Sequence, residues 1–307
     1  MRAIVAGFAA IWSVTLIGYL IGRFELLGPD GTAVLARLTF FIATPALLFT
    51  TLAGTSPTEV FTPAFLAYLA STVVVAAGYL ALAGWLWHRP AGDVTIGTLG
   101  ASYVNAANLG IPVAAYVLDD VSVVAPVLLF QVLVAAPVAF AVLDLTAGDR
   151  RPSVRRLLSL PARNPIMIAS AAGLALAVSR WQPPAELLRP FELLGAAAVP
   201  LALLALGMSL PGSRPLAADP QAWERYTAVA LKVLGQPAAA YLIARHGLGL
   251  SGTALLAAVV TAALPTAQNV FIFATRYQRG QRLARDSVVL STVATAVTLL
   301  LIAAVLG

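Results

Sequence analysis

Ten blocks of about twenty mostly apolar residues follow one another along this chain of 307 residues, separated by short stretches that hold most of its charges. A helix of about twenty residues spans the ~30 Å hydrocarbon core of a bilayer. Only 10% of the residues are charged, whereas a soluble domain carries about 25%. We therefore predict an all-α integral membrane protein. Its ten predicted transmembrane helices are residues 3–21, 31–52, 61–87, 94–118, 121–143, 164–179, 187–210, 226–245, 253–275 and 283–306.

The first block is interpreted as a membrane span because its apolar stretch is longer than the ~7–15-residue core of a signal peptide. The arginines then predict the orientation of the spans. Fourteen arginines lie in or beside the loops after odd-numbered spans, and four lie on the other side. The positive-inside rule places the arginine-rich loops in the cytoplasm. We expect a multi-pass protein of the cell (inner) membrane with both termini outside.

Several functional classes are excluded by what the chain lacks. It has no cysteine, which rules out thiol catalysis, disulfides and thiolate metal sites. Its two histidines, His88 and His246, lie at span ends, so no metal site and no cofactor are expected. No nucleophile–base pair lies within a span, so we do not expect an enzyme. No basic stripe with interleaved aromatic residues indicates a nucleic-acid partner.

The loop 146–163 divides the chain into two halves, residues 1–145 and 164–307, with five predicted spans each. It is too short to form a domain. An odd number of spans means that the second half enters the membrane from the opposite face. Any repeat is therefore an inverted repeat, which is a common plan among secondary transporters.

Four prolines fit this repeat. Pro45 and Pro200 lie in spans two and seven, while Pro112 and Pro265 lie in spans four and nine. The separation from Pro45 to Pro112 is 67 residues, and that from Pro200 to Pro265 is 65. Proline removes a backbone donor and clashes with the preceding turn. The spacing predicts helix kinks at Pro45 and Pro200, and broken helices at Pro112 and Pro265.

Polar residues accompany the two predicted breaks. A broken helix inside a membrane is tolerated only where other groups satisfy its freed backbone atoms. Each break also creates a half-helix N-terminus with partial positive charge, which can hold an anion. The alternative is that the amide side chains only reconnect the broken backbone. The candidate substrate-binding residues are Asn105, Asn108, Gly110, Pro112, Pro265, Thr266, Gln268 and Asn269.

The run 105–112, which reads N-x-x-x-x-G-I-P, resembles the first broken helix of the auxin efflux carrier family. That family includes plant auxin exporters and bacterial malate or malonate permease-like proteins. Segments 44–48, 163–165, 206–208 and 265–277 resemble the family at the second, sixth, seventh and ninth spans. The likeness covers nearly the whole chain.

The resemblance implies a fold shared with bile-acid and sodium–proton transporters, in which two inverted five-helix repeats carry crossed broken helices. Spans 1, 2, 6 and 7 would form a scaffold, which is often the contact of a homodimer. Spans 3–5 and 8–10 would form a transport domain that moves against the scaffold as an elevator. The substrate would bind where the broken helices cross.

Lys232 is the only lysine and lies within span eight, with Gln236 on the same helix face one turn later. An ionisable group inside a membrane is by default a functional-site hypothesis. Lys232 could replace the coupling cation of sodium-driven relatives, or it could add positive potential for an anion. Alternatively, its side chain could reach out towards the cytoplasm.

No acidic residue is expected in the middle of a span, which argues against a proton-coupled pump that uses an acidic pair. We therefore predict a secondary transporter that moves a small organic anion, either an auxin-like carboxylate or a dicarboxylate, through the lipid bilayer. The alternative is a sodium- or proton-coupled symporter of organic acids with the same fold.

Overall fold

The computed structural model describes residues 2–54, 62–146, 165–179, 181, 183–212 and 222–306. Almost all of the predicted loop 146–163 lies outside these ranges, as does Asn164. The described residues form helices and short connections, and they contain no β-strand. The predicted all-helical fold is therefore confirmed.

Twelve helices are found among the described residues. Six of them are long and apolar enough to cross a membrane, and they lie at residues 31–53, 63–86, 124–146, 185–208, 222–247 and 281–306. Two shorter apolar helices lie at residues 165–179 and 252–263. Large apolar side chains such as Leu20, Val74 and Val305 are exposed, as a lipid-facing surface requires. The helices are α1 (Arg2–Arg23), α2 (Gly31–Ala53), α3 (Pro63–Leu86), α4 (Ala91–Ser102), α5 (106–118), α6 (Val124–Thr146), α7 (Pro165–Ser179), α8 (Ala185–Met208), α9 (Ala222–Gly247), α10 (Gly252–Ala263), α11 (Asn269–Tyr277) and α12 (Gln281–Leu306).

The predicted fourth and ninth spans are both interrupted. Residues 103–105 separate α4 from α5, and residues 264–268 separate α10 from α11. Pro265 lies in the second interruption, as predicted. The assignment of the first interruption to Pro112 was wrong, because Pro112 lies inside α5, seven residues after Asn105.

Most of the other intramembrane prolines are accommodated without a break. Pro45, Pro112, Pro137 and Pro237 each follow a π-helical turn by two residues. Proline lacks an N–H, and its ring clashes with the carbonyl group four residues earlier. A turn widened to the π geometry relieves this clash, so the helix continues past the proline. At Pro200 the irregularity lies three residues earlier, at Ala197, which separates two helical segments of α8.

Glycines bring two pairs of helices into close contact. A Cβ atom on Gly18 of α1 would overlap the carbonyl oxygen of Leu204 in α8. A Cβ atom on Gly173 of α7 would lie 2.6 Å from the carbonyl oxygen of Phe49 in α2. The backbones of α1 and α8, and those of α7 and α2, therefore pack directly against each other.

Polar contacts link several helix ends at one end of the molecule, which we call the arginine end. Arg89, between α3 and α4, donates a 2.7 Å hydrogen bond through Nε to Glu224 of α9. This hydrogen bond raises the pKa of the Arg89 guanidinium. Arg285 of α12 donates a 3.1 Å hydrogen bond to the carbonyl oxygen of Ser209, just after α8. These contacts place loops after the odd-numbered predicted spans at the same end.

Candidate functional site

The two interruptions meet in the interior of the protein and bond to each other through the backbone. Val104 and Thr266 form an antiparallel bridge. The N–H of Asn105 donates to the carbonyl oxygen of Pro265 at 2.8 Å, and the N–H of Ala267 donates to that of Tyr103 at 3.0 Å. Each break therefore satisfies polar groups that the other exposes, which is what the low-dielectric interior demands. We call this meeting point the crossing.

Three side chains hold the crossing in place. Gln131 of α6 donates through Nε2 to the carbonyl oxygen of Val104 at 2.7 Å. The hydroxyl of Thr266 donates to the carbonyl oxygen of Gly100 at 2.6 Å. The N–H of Thr266 donates to Oγ of Ser291 in α12 at 3.0 Å. The backbone of both interruptions is thus fixed by neighbouring helices as well as by each other.

Two helices begin at the crossing and present their N-termini there. Asn105 precedes α5, and its Oδ1 accepts a 3.3 Å hydrogen bond from the N–H of Asn108. Gln268 precedes α11, and its side chain does not cap that helix. The helix dipole makes such N-termini favourable for negative charge.

A narrow cleft lies against these N-termini. Asn105, Asn108 and Asn269 line it, and the side chains of Asn108 and Asn269 are half-buried. Thr44 and Leu48 of α2 form part of the opposite wall. We call this the first cleft. It combines amide groups and two helix N-termini with apolar walls, which suits a small anion with an organic body.

On the other side of the crossing, α4 and α10 end. Their C-termini carry the partial negative charge of the helix dipole. Lys232 is completely buried, and its ammonium donates to Oε1 of Gln236 and, at 2.9 Å, to the carbonyl oxygen of Ala262 in the last turn of α10. Gln236 in turn donates to Oγ1 of Thr72 at 2.9 Å and approaches the carbonyl oxygen of Ser102, the last residue of α4, at 3.5 Å.

This arrangement places the amino group of Lys232 at the negative end of a helix dipole. The alternative in which Lys232 reaches towards the cytoplasm is therefore wrong, because its ammonium is directed to the crossing. The predicted pairing of Lys232 with Gln236 on one helix face is confirmed.

Each of the remaining predicted residues either supports the crossing or lies outside the first cleft. Thr266 is engaged in hydrogen bonds inside the crossing and does not line the first cleft. Gly110 packs against Leu264, and a Cβ atom on Gly110 would lie 3.0 Å from the Leu264 side chain. Pro265 supplies a backbone carbonyl to the crossing. Pro112 lies within α5.

Gln268 faces a second, smaller cavity on the other side of Asn105. This cavity lies between the crossing, α1, α8 and α12 and has room for about one water molecule. Gln268 is 2% exposed, and its Oε1 accepts no hydrogen bond from any described residue. Asn105 lines both cavities. Adjacent residues of one predicted motif, Gln268 and Asn269, therefore belong to different cavities.

An ion-pair network was missed in the sequence analysis. Asp286 lies inside α12, is 1% exposed, and pairs with Arg225 at 3.3 Å and with Arg285 at 2.8 Å. The sequence argument overlooked Asp286 because it lies only a few residues from the predicted start of its span. Gln131 and Ser291 were also missed, although a polar residue within an apolar span was the available signal.

Comparison with known proteins identifies the family of this chain. The chain is 29% identical over 296 residues to a protein of Rhizobium meliloti (strain 1021) named "Putative malonate transporter", covering 94% of this chain and 91% of that protein. Residues 3–150 and 151–303 match the family described as "Membrane transport protein", which is that of the auxin efflux carriers. The chain belongs to this family, and it is a multi-pass membrane transporter and not an enzyme.

Proposed function

We propose that this protein transports a small carboxylate anion, with a dicarboxylate such as malonate as the leading candidate. One observation carries the proposal: the N-termini of α5 and α11 converge on one cleft, beside Asn108 and Asn269. Backbone N–H groups and helix dipoles can hold a carboxylate there without a full positive charge. The name of the Rhizobium relative supports a dicarboxylate.

We further propose that the chain folds as two inverted five-helix repeats, residues 1–145 and 164–307, joined by the loop 146–163. An offset of 155 residues relates Gly18 to Gly173 and Phe49 to Leu204. Gly18 packs against Leu204, and Gly173 packs against Phe49. The same contact thus occurs twice with its partners exchanged, as a two-fold relation between the repeats requires. Pro45 and Pro200 differ by the same 155 residues.

Ten spans follow from this plan if α4 with α5, and α10 with α11, each count as one broken span. The helices α1, α2, α7 and α8 would form the scaffold, in agreement with their direct backbone packing. The helices α3–α6 and α9–α12 would form a transport domain that carries the crossing. We propose that this domain moves against the scaffold in an elevator mechanism, and that two copies associate through their scaffolds.

Membrane orientation is proposed from the charges. The arginine end would face the cytoplasm of a cell and both termini would lie outside, because positively charged loops are retained inside. We place the protein in the cell (inner) membrane. With this orientation, a cell that is negative inside favours the exit of an anion by about 2.3 kcal/mol per charge per 100 mV.

Lys232 supports transport without a coupling cation. Its amino group already donates to the carbonyl oxygen of Ala262 at the end of α10, where a sodium ion would otherwise be useful. Asp286, the most deeply buried carboxylate among the described residues, is held between two arginines. We therefore propose an uncoupled, potential-driven carrier and keep the sodium- or proton-coupled symporter as the alternative.

The experiment is uptake of radiolabelled malonate by proteoliposomes that contain the purified protein. We expect counterflow against internal malonate, competition by other small dicarboxylates, and a rate that responds to an imposed membrane potential. The same rates are expected in sodium and choline buffers and without a pH gradient. A requirement for either gradient would favour the symporter. Absence of counterflow with every mono- and dicarboxylate tested would reject the anion-transport proposal.

A further inference from the structure

The second cavity lies next to a contact that joins the proposed transport domain to the proposed scaffold. Its lining includes Leu206 of α8 and Val288 and Val289 of α12. Arg285 lies one helical turn before Val288, and Ser209 lies one turn after Leu206. The hydrogen bond from Arg285 to the carbonyl oxygen of Ser209 therefore joins α12 to the end of α8 directly beyond the cavity, at the arginine end.

The guanidinium of Arg285 is held firmly in this position. Asp286 accepts from Nε of Arg285 at 2.8 Å, and the same carboxylate is paired with Arg225 of α9 at 3.3 Å. The side chains of Arg225 and Asp286 are 4% and 1% exposed. A charged donor fixed by a buried carboxylate makes a stronger and better directed hydrogen bond than a mobile surface arginine does.

The first cleft has no equivalent of this contact. The proposed repeat relates α8 to α2 and α12 to α6, so the matching position is the beginning of α6. Residues 119–131, which lead into and form the beginning of α6, contain no arginine, lysine or histidine. The contact is therefore present on only one side of the crossing and can favour one of two otherwise related states.

We propose that Arg285 is a positioning residue for transport: its bond to Ser209 biases the resting protein towards the state in which the anion reaches the crossing through the first cleft. When the bond breaks, α12 separates from α8, and the second cavity opens to the arginine end. Gln268 would then become accessible from that end, with its free carbonyl oxygen available to water or to a donor group of the substrate. This inference rests on the proposed transport function.

The test uses single cysteines, since the natural chain has none. Leu128→Cys reports on the first cleft, and Val289→Cys reports on the second cavity. Both native side chains are half-buried, so the two reporters are matched. The rate of labelling by a small water-soluble methanethiosulfonate is measured for purified protein, with and without Arg285→Gln.

We expect Arg285→Gln to raise the labelling rate of Val289→Cys about five-fold or more and to lower that of Leu128→Cys, because a lost charge-assisted hydrogen bond shifts the equilibrium between the two states. Arg285→Lys keeps the positive charge and loses the planar guanidinium group, so it should shift both rates in the same directions but less. Arg282→Gln is the control, because Arg282 lies exposed on the same helix and its removal should change neither rate.

Unchanged rates, or a rise at both positions, would overturn the inference. A rise at both positions would mean that the fold has only loosened. If Arg285→Gln cannot be purified as a monodisperse protein, the comparison of Arg285→Lys with the native side chain decides the question by the same criteria. Labelling does not require transport, so failure of this inference is distinguishable from failure of malonate counterflow.

Discussion

The ammonium of Lys232 lies 2.9 Å from the carbonyl oxygen of Ala262, where α10 ends at the crossing. A buried lysine is costly in a low-dielectric interior unless its charge is compensated. Here the compensation comes from Gln236 and from a helix C-terminus, and no carboxylate of a described residue bonds to the amino group. The same crossing offers helix N-termini to the first cleft, so it separates a region suited to anions from one already occupied by the amino group of Lys232.

Removing the charge of Lys232 should destabilise the protein. In Lys232→Met the oxygen of Gln236 and the carbonyl of Ala262 lose their donor in a fully buried place. We expect the free energy of unfolding to fall by about 2–4 kcal/mol. Thermal unfolding in detergent measures this, with Arg282→Met, an exposed charge, as the control. Equal stability of Lys232→Met and the native protein would show that the ammonium is not needed to hold the crossing.

Anion affinity should depend on Asn108 and Asn269 more than on Gln268. The first two side chains line the first cleft, whereas Gln268 faces the second cavity. Asn108→Ala and Asn269→Ala should each weaken malonate binding about ten-fold, as expected for the loss of a hydrogen bond to a charged group.

Gln268→Ala is the matched control and should leave malonate affinity within about two-fold, because Gln268 faces the second cavity and not the first cleft. Isothermal titration calorimetry on purified protein measures all three affinities. A larger loss for Gln268→Ala than for Asn269→Ala would mean that the anion binds on the other side of the crossing.

The sequence was sufficient to predict that spans four and nine are interrupted and that asparagines lie at the breaks. It was not sufficient to place the first break, because the chain leaves the helix where Val104 pairs with Thr266, more than 160 residues away. Pro112 looked like the cause because proline disrupts an ideal helix, but a π turn accommodates it.

The roles of Gln268 and Asn269 could not be separated from the sequence for a related reason. Helical periodicity predicts which residues share a face only where the backbone is regular. Residues 264–268 are irregular, so the direction of each side chain depends on tertiary contacts of Thr266 with Gly100 and Ser291. Asp286 was missed because a charge near a span end normally lies in water, whereas here Arg225 and Arg285 surround it.

The hydroxyl of Ser291 should contribute to stability, whereas that of Ser287, one turn earlier on α12, should not. Ser291 accepts from the N–H of Thr266 at 3.0 Å, while Oγ of Ser287 is buried and has no hydrogen-bond partner among the described residues. Ser291→Ala leaves a buried N–H unsatisfied and should cost about 1–3 kcal/mol. Ser287→Ala should be neutral or slightly stabilising. Comparable melting temperatures for the two variants would contradict this role of Ser291.

The contact between α1 and α8 should tolerate no side chain at Gly207. A Cβ atom there would overlap the carbonyl oxygen of Thr15 and lie 2.7 Å from the amide nitrogen of Tyr19. Both are backbone atoms, so relief requires the helices to separate, and Gly207→Ala should destabilise by about 1–3 kcal/mol. Gly78 of α3 is the matched control, because nothing lies within 4 Å of its Cβ position. Gly78→Ala should be neutral or stabilise by up to about 1 kcal/mol through helix propensity. Thermal unfolding of the two alanine variants tests the prediction, and a Gly207→Ala protein as stable as Gly78→Ala would show that α1 and α8 can move apart without loss of stability.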